Sequence, residues 1–173
     1  KTLFKALLHS KKTYQAKDIC IEDINDQSMS LKKLVIASTV LGKQLHKQLG
    51  DEKRVGLMLP NVAGMPATFF ALQAYGYVPA MINFTAGLKA MKSACETAEL
   101  QTIITSKKFV DVFELQPVIE EMQQKVRFIY LEDVREFIGL PQKLAGLFKN
   151  KNRLIGTEKS ANEEAVILFT SGS

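Results

Sequence analysis

Apolar positions along the chain fall into two alternating patterns: short continuous runs, and longer stretches in which they recur every three or four residues. The runs belong to strands and the stretches to amphipathic helices, so their alternation predicts an α/β domain. A helix is expected from Leu3 to about Lys11, followed by a strand over Asp18 to Ile24 and a turn at Asn25-Asp26-Gln27. Ser30 is placed to cap a helix whose Leu31, Leu34, Val35, Ala37, Ser38, Leu41 and Leu45 share one face and which stops at Gly50.

The continuous run Arg54-Val55-Gly56-Leu57-Met58-Leu59, closed by Pro60-Asn61, suits a strand covered on both faces of a parallel sheet. Helix from about Val62 to Tyr75, strand over Val78 to Ile82, helix from Leu88 to Ala98 and strand over Thr102 to Thr105 continue the rhythm. A helical stretch around Val110 to Gln124 leads to a strand over Val126 to Leu131, and Ala165 to Phe169 is the last strand, read as central in the sheet. Residues 150–164 are polar and irregular, the composition of an exposed connection. The expected architecture is one α/β domain over residues 1–173, an open, mostly parallel sheet with helices on both faces and ligands beyond the carboxyl ends of its strands.

Composition adds limits. With 46% hydrophobic and 24% charged residues, the 173-residue chain has the make-up of a soluble globular domain and not of a disordered one, and its apolar runs are too short to cross a bilayer. A net charge of +5 admits acidic partners without naming one. Cys20 and Cys95 stand far apart, with no metal-binding or C-x-x-C spacing, and are read as buried thiols of a reducing compartment. His9 and His46 are isolated and read as surface residues. The chain opens on Lys1 with no signal-peptide pattern, as a piece of something longer would.

The last strand runs directly into Thr170-Ser171-Gly172-Ser173. Hydroxyls beside a glycine suit an anion, because glycine lets successive backbone N–H groups curl around a phosphate while the hydroxyls donate further hydrogen bonds. On these four residues alone, a Ser/Gly turn is the simpler reading; neither a Walker loop nor a dinucleotide fingerprint is present.

Several blocks taken in order resemble the amino-terminal part of the adenylate-forming enzymes, the superfamily of acyl- and aryl-CoA synthetases, luciferases and peptide synthetases. They are Ser30-Leu31-Lys32-Lys33-Leu34, the run from Arg54 to Asn61, the segment from Phe70 to Pro79 with Asn83 beyond it, and Phe169-Thr170-Ser171-Gly172-Ser173. Within the superfamily, Met81-Ile82-Asn83-Phe84-Thr85-Ala86-Gly87, Ile104-Thr105-Ser106 and Tyr130-Leu131-Glu132-Asp133 are similar to the synthetase half of the bacterial bifunctional enzymes that join a 2-acylglycerophosphoethanolamine acyltransferase to an acyl-acyl-carrier-protein synthetase. The resemblance implies ATP and Mg²⁺ as cofactors, a fatty acid as substrate, an acyl carrier protein as acceptor and a lysophospholipid as partner of the acyltransferase half. It implies a cytoplasmic protein working at the inner membrane, and makes Thr170, Ser171, Gly172 and Ser173 the start of the phosphate-binding loop. The remaining glycines and lysine of that loop, the metal-binding Glu and the catalytic Lys of the family have no counterpart up to Ser173, so this piece is expected to be inactive by itself. A fatty acyl-CoA synthetase and a non-catalytic α/β binding module are the alternatives.

Phe137, Leu140, Leu144, Leu147 and Phe148 recur at helical spacing beside Lys143, Lys149, Lys151 and Arg153. Such a stripe suits peripheral membrane contact, although more often it packs on its own domain, and Pro141 limits it to a helix start or a break. Lys32, Lys33, Lys43 and Lys47 read as the solvated face of one helix. Tyr75, Tyr77 and Phe84 read as packing around a strand and not as a platform for bases, so nucleic-acid binding is not expected.

Overall fold

A computed structural model describes residues 2–14, 18–23, 28–138, 159–160 and 162–170. Helix α1 (Leu3–Thr13) is followed by strands β1 (Ile19–Glu22) and β2 (Ser28–Ser30), then α2 (Leu31–Leu49), β3 (Arg54–Leu57), α3 (Gly64–Ala74), β4 (Val78–Met81) and α4 (Leu88–Thr97). The chain continues through β5 (Thr102–Thr105), α5 (Lys107–Val112), α6 (Gln116–Met122), β6 (Arg127–Tyr130), α7 (Leu131–Glu136) and β7 (Ile167–Leu168). Five strands form one sheet in the order β6-β5-β3-β4-β7, every pairing parallel. The architecture is the expected open α/β sheet.

The strand order fixes the layers. From β3 the chain steps one way to β4, then returns past β3 to β5 and on to β6. Because crossovers between parallel strands are right-handed, reversing the direction of travel moves the connecting helices to the other face. Accordingly α2, α3 and α7 supply Leu41, Leu45, Ala71, Leu72 and Val134 to one core, with Val55, Leu57, Ile104 and Ile129 from the sheet. On the opposite face α4, α5 and α6 pack Met91, Cys95, Phe109, Ile119 and Met122 against Ala80 and Ile103. Leu45, Leu57, Leu72 and Ile103 are fully buried, and burying each contributes about 1.5–3 kcal/mol. A third cluster seats α1 on α2 and α3 through Phe4, Leu7, Leu34, Val35 and Ala67.

Local signals explain several boundaries. The Ser30 side chain accepts a hydrogen bond from the Lys33 amide at 3.3 Å, capping α2, and Gly50 ends that helix at φ 57°. At Gly42, in the middle of α2, a Cβ atom would lie 2.6 Å from the Ala71 carbonyl oxygen and 2.7 Å from the Tyr75 ring, so glycine is what lets α2 and α3 approach closely.

Six expectations change. The strand read over Asp18 to Ile24 belongs to a separate antiparallel hairpin with β2, outside the main sheet. The helical stretch around Val110 to Gln124 is two helices, because Glu114 takes a left-handed φ of 52° between them. The strand read to Leu131 stops at Tyr130, and α7 starts at once. Among the described residues β7 is an edge strand beside β4 and not a central one. Cys20 is exposed, its thiol donating to the Met29 carbonyl within the hairpin, while Cys95 is buried as read. His9 is exposed but His46 is partly buried, for a reason that lies in its partners.

Candidate functional site

All five strands of the sheet run the same way, so their carboxyl ends form one rim, where Asn61, Asn83, Ser106, Glu132 and Thr170 lie within about four residues of the strand ends. The loops after β3 and β5 depart in opposite directions, which makes their junction the topological switch point of the sheet. The chain closes that junction with its own hydrogen bonds: the Met58 amide donates to the Ile104 carbonyl at 2.9 Å, and the buried Thr105 hydroxyl donates to the Met58 carbonyl at 2.8 Å.

Two helix starts on the rim are likewise occupied. The Asp23 carboxylate, at the end of β1, accepts the Ala63 amide at 3.0 Å where α3 begins. At α5, Glu132 accepts from the Ser106 hydroxyl at 2.7 Å, the Lys107 amide at 2.9 Å and the Lys108 amide at 3.3 Å. Burial pushes the Glu132 carboxyl up, but the hydrogen bonds from Lys107, Ser106 and Lys108 outweigh it and hold the group below the usual glutamate range. An anion arriving at either helix would meet a carboxylate already in place. By contrast α4 opens at Gly87 and α7 at Tyr130 with no side-chain cap.

The remaining part of the rim lies on the β4 and β7 side. Met81 pairs with Leu168, so Asn83 and Thr170 stand two residues further on from paired positions. Asn83 uses its side-chain oxygen to hold the Thr85 amide and hydroxyl at 3.0 and 2.7 Å, shaping the 3-10 turn Phe84–Ala86. Thr170 is exposed, and Phe169 before it packs against the core of the α4 face. Of the four residues read as phosphate-binding, Thr170 is thus at a strand's carboxyl end on the open side of the rim; Ser171, Gly172 and Ser173 lie outside the described residues. Hydroxyls and glycine amides have the donor chemistry that a phosphate needs. For the divalent ion, no group of three or more His, Cys, Asp or Glu among the described residues has the arrangement to hold a metal. Among the described residues, Thr170 has the donor chemistry that suits a phosphate, and no side-chain cluster suits the metal.

A cleft of 1040 Å³ opens at the opposite end of the sheet between His46, Arg54, Tyr77, Glu99 and Glu164. Its chemistry is structural. The single Tyr77 hydroxyl proton goes to the Gly50 carbonyl at 2.8 Å, since that oxygen only accepts, and His46 therefore donates its Nδ1 proton to the Tyr77 oxygen at 2.6 Å. Burial, with Glu52 and Asp51 adding to it, pushes the Tyr77 hydroxyl up to about 12. Arg54 extends a two-pronged contact to Glu164, Nε to Oε2 at 3.1 Å and Nη2 to Oε1 at 2.9 Å, and reaches Glu99 at 3.5 Å. Buried Gln73 donates from its side chain to the Ala165 carbonyl and to the Tyr77 carbonyl. The sequence reading took Tyr77 as packing but gave Arg54, Gln73, Glu99 and Glu164 no role; an arginine opening an otherwise apolar strand was the one visible sign.

Of the membrane stripe, Phe137 is exposed, and Leu140, Leu144, Leu147 and Phe148 lie outside the described residues. No helix among the described residues is long and apolar enough to cross a membrane. Lys32, Lys33, Lys43 and Lys47 are all exposed on α2, as read, and Tyr77 is buried packing.

Solved structures share this fold. VinN superposes with a TM-score of 0.77 at 16% identity, over 99% of this chain and 42% of its own. The amino-terminal subdomain of Klebsiella oxytoca NpsA gives 0.73 at 13% identity, over 100% of this chain and 39% of its own. Bacillus subtilis MenE, an O-succinylbenzoate coenzyme A synthetase in complex with ATP and magnesium ion, gives 0.63 at 17% identity, over 78% and 34%. The chain thus spans about two fifths of the length of VinN and of the NpsA amino-terminal subdomain. The sequence pattern of the AMP-binding enzymes matches residues 8–173, and with the parallel sheet and its hydroxyl-bearing rim in place, the chain belongs to that family, the adenylate-forming enzymes.

Proposed function

We propose that this chain is the amino-terminal part of an acyl-activating ligase that takes a fatty acid, ATP and Mg²⁺, and that the segment from Thr170 to Ser173 binds the phosphates. The observation that carries the reading is β7 running out at an exposed Thr170 on the rim of a sheet whose family match extends over residues 8–173. In the reaction a carboxylate oxygen attacks the α-phosphorus, the bond from that phosphorus to the bridging oxygen breaks, and pyrophosphate leaves. A phosphopantetheine thiolate on an acyl carrier protein then attacks the acyl carbonyl, releasing AMP; the thiol proton passes to solvent. Mg²⁺, when bound, neutralises phosphate charge. What this chain contributes is donors at the pyrophosphate: the Thr170 hydroxyl, and the hydroxyls and glycine amide that follow it.

The narrower resemblance to the bifunctional acyltransferase and acyl-carrier-protein synthetase supports fatty acid, carrier protein and a lysophospholipid as partners, with peripheral membrane contact through residues 137–153. The deciding measurement is fatty-acid-dependent exchange of labelled pyrophosphate into ATP by the full-length enzyme, followed by acyl transfer offered in parallel to carrier protein and to coenzyme A. Exchange driven by fatty acids, with transfer to carrier protein, is expected. No exchange with any fatty acid overturns the ligase reading, and transfer to coenzyme A alone overturns the acceptor.

A further inference from the structure

The segment assigned to phosphate binding follows a strand with a short ladder, seated on the α4-face core by Ile167 and Phe169. Among the described residues β7 pairs through Ala80 with Ile167 and Met81 with Leu168, and Leu168 is 69% exposed. Two such pairs fix a strand weakly, and a one-residue slip reverses every side chain and moves the chain about 3.3 Å along the sheet. Thr170 would go with it.

We infer that Gln73 and Arg54 are positioning residues for the phosphate-binding segment, setting the register of β7 from the far end of the sheet. Gln73, in the last turn of α3, gives its side-chain amide to two carbonyls: Tyr77, where the chain enters β4, and Ala165, where it enters β7. One buried carboxamide therefore measures the two neighbouring strands against each other. Arg54 supplies the second measure. The sheet ladder pairs it with Val78 on β4, and its guanidinium grips Glu164, the residue before Ala165, with two parallel hydrogen bonds. A planar fork on a carboxylate is direction-specific in a way a single charge contact is not. From Glu164 to Thr170 an extended chain covers about 20 Å, so these contacts act on the site from a distance and touch no reactant. The inference rests on the proposed phosphate-binding role of that segment.

The full-length enzyme tests it with Gln73→Met, which keeps the side chain's length and loses its donors, and Glu164→Leu, with Glu164→Gln as the conservative control that keeps an acceptor for Arg54. Two readouts are used: KM for ATP and for fatty acid in pyrophosphate exchange, and deuterium uptake by the peptide covering residues 164–170 against those covering β3 and β5. Because displacement of about 1 Å is enough to cost on the order of a hundredfold, Gln73→Met and Glu164→Leu are expected to raise KM for ATP at least about tenfold while KM for fatty acid stays within about twofold. Uptake should rise in 164–170 alone, and Glu164→Gln should restore most of both. Both KM values rising together, or a lowered melting temperature with no KM split, overturns the positioning role. Uptake unchanged in 164–170 overturns the clamp. A wild type without exchange overturns the proposed function and the positioning role with it, and deuterium uptake then decides the clamp by itself.

Discussion

Tyr77 carries one hydroxyl proton and ties together two segments, the Gly50 turn that ends α2 and the His46 ring within it. Tyr77→Phe removes both bonds, leaves the Gly50 carbonyl and the His46 Nδ1 proton without that partner, and is expected to cost about 1–3 kcal/mol; a urea midpoint equal to wild type would show that the cleft is already hydrated enough to replace them. Glu132 makes a pH-dependent contribution. Its carboxyl titrates lower in the folded chain than in the unfolded one, so its stabilisation is complete above the ordinary glutamate range and is lost as pH falls through the depressed value. The stability gap between wild type and Glu132→Gln should be open at neutral pH and close in acid; a gap that is the same at both ends of the titration contradicts the assignment. At the rim, Thr170→Ala in the full-length enzyme should slow acyl-adenylate formation by about 10² to 10³ if the hydroxyl meets developing charge, and Gly172→Val should slow it further by closing off the backbone freedom that glycine supplies. Single-turnover rates near wild type for both folded variants would reduce the segment to a surface turn. Thr170, Ser171, Gly172 and Ser173 could be proposed from sequence because hydroxyl and glycine chemistry is local. Glu132, Gln73 and Arg54 were not, because what makes each matter is a partner 24 to 110 residues away.

Helix boundaries were legible where one residue type does the work. Ser30 capping α2 and Gly50 ending it follow from side-chain geometry and from the ease with which glycine takes positive φ. The break between α5 and α6 was not legible, since Glu114 adopts a left-handed φ that sequence assigns to glycine or asparagine. Nor was the change from β6 to α7, where one apolar run serves both the end of a strand and the start of a helix. Gly42 gives the element scale its test. In an open helix, Gly→Ala stabilises by roughly 1 kcal/mol through propensity, whereas here the added carbon would press on the Ala71 carbonyl, and overpacking costs about 1–3 kcal/mol. Gly42→Ala should therefore lower the thermal midpoint, and a raised midpoint would mean that α2 and α3 are less closely packed than described.

Parallel order within the sheet was legible from the alternation of elements, but the strand sequence β6-β5-β3-β4-β7 was not, because it depends on which distant strands pair. Both faces of the sheet are covered by described helices, so the 173-residue chain should unfold in one cooperative thermal transition; a broad melt without a baseline would show that it needs further chain to fold. Some self-association is expected through the outer edge of β7, whose backbone groups face no described neighbour. Calorimetric titration of this chain with Mg-ATP should show no tight site, since no group of His, Cys, Asp or Glu among the described residues suits the metal, and submicromolar binding would overturn that view. The strand order also has a consequence for the nascent chain on the ribosome. By residue 138 the polypeptide has emitted β3, β4, β5 and β6 with the helices that cover them, four strands paired among themselves. Elements leave the ribosome in chain order, so the four strands of this platform emerge before β7 does. The strand that leads into the segment proposed to bind phosphate is the last of the five to arrive, and translation rate across residues 139–166 sets how long the β4 edge waits uncovered.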